Sequence, residues 1–145
     1  MIVIDTTVLV YAVGVEHPLR DTCRAIIAAV GESRLAATTT VEVLQEFTHV
    51  RARRRGRDDA VVLAGRYATL LSPLISVDAD DFSRGMRLFT EHESLGAFDA
   101  VLAAAVLRHS HLTGLVSADG AFRDINGLRH IDPADPEALN HLGID

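Results

Sequence analysis

At 145 residues, with 48% hydrophobic residues and a mean hydropathy of +0.20, the chain is long enough to bury a full core and too apolar to stay unfolded. Its net charge is −6 and all 14 basic residues are arginine, so a nucleic-acid function needs a local basic patch, a metal ion or a second subunit to meet phosphate. The single cysteine, Cys23, excludes an internal disulfide and a cysteine-built metal cluster, and no apolar run approaches the ~20 residues of a membrane span.

The first stretch, Met1-Ile2-Val3-Ile4, is a β-branched apolar run that reads as a strand buried on both faces. Asp5 follows at once, which breaks any signal-peptide pattern and leads to the expectation of a cytoplasmic protein without a membrane segment. Thr6 to Val13 reads as one or two helical turns, stopped by Gly14. His17-Pro18 opens a helix to about Val30, closed by Gly31. Leu35 to Thr38 reads as a second strand. Thr40 to about Arg55 has helical spacing, Gly56 ends it, and Asp58 starts a further helix to about Leu71. Leu74 to Val77 reads as a third strand. Asp78, Asp80 and Asp81 then cap a helix to about His92. Gly96 precedes an alanine-rich helix from Phe98 to about His109. Leu115 to Ser117 and Leu128 to Ile131 read as the fourth and fifth strands, with a turn at Asp119-Gly120 between them. Asp135-Pro136 looks like the start of a last helical turn. Strands alternating with helices imply an α/β domain with a parallel sheet, spanning residues 1–145 without a linker.

In such sheets, ligands sit beyond the carboxyl ends of the strands. Asp5 stands at that end of the first strand, and an acid there costs free energy unless it is paired or holds a metal. Asp119 closes the fourth strand in the same way, although a turn residue before Gly120 has the same signature. On the helix from Thr40, at about 100° per residue, Glu46 lies within about 40–60° of Val50 and Val43, at the edge of the apolar face. Glu42 lies about 40° to the other side, towards solvent. Glu46 is therefore the better inward carboxylate, with an ordinary boundary glutamate as the plain alternative. Asp99 begins the stripe Leu102, Ala103, Val106 on its helix, although a first-turn aspartate complementing the helix dipole would occupy the same position. Four carboxylates brought together cannot all stay ionised without a cation. An oxygen-only ligand set suits Mg²⁺ or Mn²⁺, the ions of phosphoryl chemistry. Arg51, Arg53, Arg54 and Arg55 form the one basic run. They complement a helix C-terminus and are candidate contacts to RNA phosphate.

Four segments then carry a resemblance. Ile2-Val3-Ile4-Asp5-Thr6-Thr7, Thr40 through Phe47, Phe98 through Ala105, and Leu115 through Phe122 resemble, in order and spacing, the four motifs of the PIN-domain nucleases. Among these the chain is most similar to the VapC toxins of VapBC toxin–antitoxin modules. The resemblance aligns Glu46 with the second acid; Glu42, four residues earlier, is the alternative. It implies a three-layer α/β/α fold on a mostly parallel five-stranded sheet. It implies an endoribonuclease using Mg²⁺ or Mn²⁺, with Asp5, Glu46, Asp99 and Asp119 catalytic. Asp5, Asp99 and Asp119 would hold metal, with Thr6 and Ser117 orienting ligands or water behind them. It also implies a homodimer, a cognate antitoxin that covers the active site, and a structured RNA substrate such as tRNA or rRNA. A housekeeping RNA-processing PIN nuclease and a non-catalytic PIN-like binding module are the rival readings. A haloacid-dehalogenase-type phosphatase would need an acid where Thr7 stands, and a dinucleotide site would need a glycine-rich turn after the first strand.

Overall fold

The computed structural model describes residues 1–144; Asp145 lies outside the described residues. Its strands are β1 (Ile2–Ile4), β2 (Ala37–Thr38), β3 (Gly114–Val116) and β4 (His130–Ile131). Its helices are α1 (Thr6–Ala12), α2 (Arg20–Gly31), α3 (Val41–Arg55), α4 (Arg57–Leu70), α5 (Ala79–Glu91), α6 (Ala97–Arg108) and α7 (Ala138–His141). The sheet is wholly parallel, in the order β2-β1-β3-β4. From β1 the chain moves outward to β2 and later returns to the other side of β1 with β3. The order of strands therefore reverses between β1 and β3, and a crevice opens there beyond their carboxyl ends.

The apolar reading of β1 holds: Val3 and Ile4 are fully buried, as a central strand covered by helices requires. Pairing of Ile4 with Val116 sets Asp5 opposite Ser117, and the Asp5 amide donates to the Val116 carbonyl at 3.0 Å. The layered α/β architecture agrees with expectation, but the described sheet has four strands where five were expected. Leu74–Val77 contributes only a single parallel bridge, Thr40 to Ile75. Two causes are visible. Pro73 has no amide for a ladder, so the backbone before Ile75 is instead held through its carbonyl by the Thr38 hydroxyl at 2.7 Å. On the other side Thr40 has already left the sheet to cap α3, its hydroxyl accepting from the Val43 amide.

Helix ends follow expectation in part: α2 begins at Arg20, not at His17-Pro18, and includes Gly31, and α4 begins at Arg57, one residue before Asp58. Asp78 and Asp81 close a capping box at the start of α5. Asp81 is fully buried; burial pushes its carboxyl up, but the Arg108 hydrogen bond and charge, with the Asp78 amide, outweigh that and hold it below the ordinary value. The expected Asp135-Pro136 start of α7 is displaced: Asp135 Oδ1 accepts from the Glu137 amide in a tight turn, and the helix begins at Ala138. At the C-terminus of α1, Arg24 donates to the Ala12 carbonyl at 2.9 Å and Arg51 to the Val13 carbonyl at 3.0 Å. Two later helices thus satisfy the open end of the first. Phe47 packs edge-on against Tyr67, whose hydroxyl donates to the Leu9 carbonyl, tying α1, α3 and α4 together. Cys23 is buried and its thiol is pushed up to about 12, first by burial and then by Asp132, so it is an inert core residue.

Candidate active site

Asp5 both ends β1 and caps the N-terminus of α1, and it is only 3% exposed. All hydrogen bonds to its carboxylate among the described residues fall on Oδ2. That oxygen accepts from the Thr7 hydroxyl at 2.8 Å, the Ser117 hydroxyl at 2.7 Å and the Thr7 amide at 3.3 Å. Three donors on one oxygen orient the carboxylate, while Oδ1 is left without a hydrogen bond among the described residues. Ser117 is fully buried at the end of β3, and its oxygen also accepts from the Asp119 amide at 3.0 Å. The Thr7 oxygen in turn accepts from the Ala118 amide at 3.0 Å. The ends of β1 and β3 are thereby laced through two hydroxyls.

The second acid comes from α3. Thr6 Oγ1 donates to Glu46 Oε2 at 2.6 Å, which brings that carboxylate over the end of β1. Glu46 is itself exposed. Glu42 departs from expectation: instead of facing solvent it is half-buried, and its Oε2 is shielded without a hydrogen-bond partner among the described residues. Helical angle alone placed Glu42 outward. In the fold α3 packs against α1 on one side and α4 on another, so its outer face is partly covered.

Asp99 lies in the first turn of α6, half-buried. Its carboxyl is pushed up to about 7 by burial, then by the charges of Asp5, Asp119 and Glu46. The four acids therefore share one electrostatic site, drawn from two strand ends and two helices. Asp119 is exposed and its Oδ1 accepts from the Ala121 amide at 2.9 Å, capping a single turn of 3-10 helix at Gly120–Phe122. The same residue caps this turn and raises Asp99 through its charge. Among the described residues no three His, Cys, Asp or Glu side chains close up into a finished ligand cage. The carboxylates converge on an open, partly solvated space.

A divalent cation fits this donor set. Asp99 is held up by burial among three like charges, a repulsion that a cation would relieve, and Asp5 presents a fixed carboxylate with one oxygen uncommitted. Of the side chains expected to stand behind the acids, Thr6 holds Glu46 and Ser117 holds Asp5. Thr7 was not singled out for that task, yet its hydroxyl shares it. The signal was available: an aspartate at an N-cap places the side chain two residues on beside its own carboxylate.

The basic run divides. Arg53, Arg54 and Arg55 are exposed. Arg51 is not free for RNA: its guanidinium pairs with both oxygens of Asp59 and donates to the Val13 carbonyl. It braces α3 against α4 and α1.

Residues 2–128 match the PIN domain family model. The chain is 51% identical over 148 aligned residues to Ribonuclease VapC7 of Mycobacterium tuberculosis, covering 99% of both chains. Among solved structures it resembles the Mycobacterium tuberculosis toxin VapC20, described as cleaving the sarcin-ricin loop, with a TM-score of 0.67, 20% identity, and 83% and 91% of the two chains covered. It also resembles VapBC2 from Rickettsia felis, solved bound to a promoter DNA fragment, with a TM-score of 0.69, 17% identity, and 91% and 98% covered. At those identities the structural likeness speaks for the fold.

Proposed function

The chain belongs to the PIN-domain family and to its VapC branch, and from that premise we propose that it is a metal-dependent endoribonuclease, the toxin of a toxin–antitoxin module. The observation that carries this reading is the convergence of Asp5, Glu46, Asp99 and Asp119 at the crevice between β1 and β3, with Asp99 pushed up to about 7 by burial and the other three. Asp5, Asp99 and Asp119 would hold Mg²⁺ or Mn²⁺. A divalent cation held there supplies activation of water and offsets the charge that builds on the phosphate oxygens during hydrolysis.

The chain's own residues set the geometry. Thr7 and Ser117 fix the Asp5 carboxylate, so that it does not swing as substrate enters. Thr6 holds Glu46 at the rim, where an exposed carboxylate can accept a proton from the attacking water. Exposed Arg53, Arg54 and Arg55, beyond Glu46 on α3, supply the positive charge that an acidic protein otherwise lacks for an RNA backbone. An antitoxin would silence the site by covering it, and a homodimer would place two such sites in one particle. No helix among the described residues is long and apolar enough to cross a membrane, and we place the protein with its RNA substrate in the cytoplasm.

Brief expression in cells, followed by sequencing of RNA ends, tests the reading. New ends and slowed growth are expected with the parent chain and not with Asp5→Asn. No new ends and normal growth with the parent chain would contradict it.

A further inference from the structure

A cavity of ≈590 Å³ opens between the C-terminal end of α1, the loop that follows it, and α3. Its walls include Val10, Tyr11, His17, Val50, Arg54 and Arg55. Tyr11 and His17 are already stacked, with ring centroids 4.2 Å apart and planes 18° from parallel. The imidazole is held in place, since His17 Nδ1 accepts from the Leu19 amide at 3.1 Å. The loop turns tightly at Gly14, where a Cβ would stand 2.9 Å from the Val10 carbonyl. Arg51 pins the next carbonyl back, at Val13, from the floor of the cavity. The cavity is thus a braced feature of the fold.

It is built on two helices that also carry the candidate active site, α1 and α3, towards their C-terminal ends. Tyr11 lies on the helix that Asp5 caps. Val50 and Arg54 lie four and eight residues after Glu46 on α3, about 6 and 12 Å along the helix axis. The charges at its mouth, Arg54 and Arg55, are exposed and in no ion pair among the described residues. A stacked ring pair, an apolar wall and two free guanidinium groups are the chemistry that binds an unpaired nucleotide: a base on the rings and its phosphate on the arginines.

We infer that this cavity is a nucleotide subsite, holding one unstacked base of single-stranded RNA a short way along the strand from the bond to be cut, with Arg54 and Arg55 on its phosphate. The inference rests on the ribonuclease reading above and adds to it a preference for an unpaired nucleotide on the α1–α3 side. A protein segment is the rival occupant, but the charged side chains that line the cavity are all basic, and the outer face of the Tyr11–His17 stack is the surface a base would meet.

The test uses the whole chain and a single-stranded RNA oligonucleotide carrying 5-iodouridine. Photocrosslinks to Tyr11 or His17 are expected. Tyr11→Leu should weaken RNA binding roughly five- to hundredfold, the range of one base stacked on one ring. The surface variant Arg54→Glu/Arg55→Glu should weaken it too, and should flatten the dependence of log affinity on log salt by roughly 0.7 for each phosphate that is no longer neutralised. Circular dichroism checks that the fold is kept, and the arginine variant keeps the test open if Tyr11→Leu unfolds. Suppose the parent chain cuts RNA, the crosslinks fall elsewhere, and the arginine variant keeps its affinity and salt slope. The subsite is then wrong while the ribonuclease stands. Loss of neutralisation by the antitoxin alone, with RNA cleavage unchanged, would assign the cavity to a protein partner and equally overturn the subsite. A parent chain that neither binds nor cuts RNA overturns both.

Discussion

Thr6 Oγ1 donates to Glu46 Oε2 at 2.6 Å, across 40 residues of sequence. This bond joins the residue after Asp5 to the second turn of α3, and it holds an exposed carboxylate over a buried one. Removing the hydroxyl while keeping the shape isolates its effect. Thr6→Val should lower the rate of RNA cleavage roughly 10–100-fold, the usual loss when a side chain behind a metal site is removed. Melting temperature should change little, because Glu46 is already solvated. Equal cleavage rates for the variant and the parent would remove Thr6 from the account.

Asp99 gives a pH dependence of known sign. Its carboxyl is raised from 3.8 to about 7 in the folded chain, first by burial and then by Asp5, Asp119 and Glu46. Between those values the folded chain keeps a proton that the unfolded chain has released, so this group lowers stability as pH rises through that window. A cation competes with the same proton, so its binding should strengthen with pH until about 7. Thermal melts with EDTA should show Asp99→Asn more stable than the parent at pH 8. Melts with added Mn²⁺ should raise the parent's midpoint and leave that of Asp99→Asn nearly unchanged. A parent chain indifferent to Mn²⁺ at pH 8 would count against a metal at these acids.

The contact between α5 and α6 makes a prediction about stability alone. A Cβ on Gly85 would stand 2.7 Å from the Val101 Cα, so the two helix backbones meet at this glycine. Gly85→Ala should destabilise the chain by about 1–3 kcal/mol, the usual cost of forcing atoms into a packed contact. That cost opposes the gain in helix propensity that alanine brings, about 1 kcal/mol. Denaturant melts measure the balance. An unchanged or raised midpoint would show that the helices can part at little cost.

Much of this architecture is legible in the residues because local rules and fold agree. The run Ile2-Val3-Ile4 can bury only as a central strand, and Asp78 with Asp81 forms the capping box its spacing announces. Asp5 and Asp119 stand at strand ends in the sequence and at the crevice in the fold. What periodicity does not carry is the identity of neighbours from distant elements. The half-burial of Glu42 depends on what packs beside α3. Arg51 reads as one more arginine of a basic run, and only the arrival of Asp59 and the end of α1 reveals it as a brace. Leu74–Val77 has strand composition, yet Pro73 and the early departure of Thr40 leave it a single bridge. The second role of Asp119, as the cap of a short turn, is local and readable; its field at Asp99 is not.

The central claim is that the acids at the β1–β3 crevice hold a cation and cut RNA. Cleavage of total cellular RNA by the purified chain tests it most directly, using the parent, Asp5→Asn and Asp99→Asn, each with Mg²⁺, with Mn²⁺ and with EDTA. The account predicts cleavage by the parent with either ion, none with EDTA, and a loss of at least a hundredfold in both variants, each of which melts as a folded protein. Cleavage that persists in EDTA, or in either variant at the parent's rate, would contradict it.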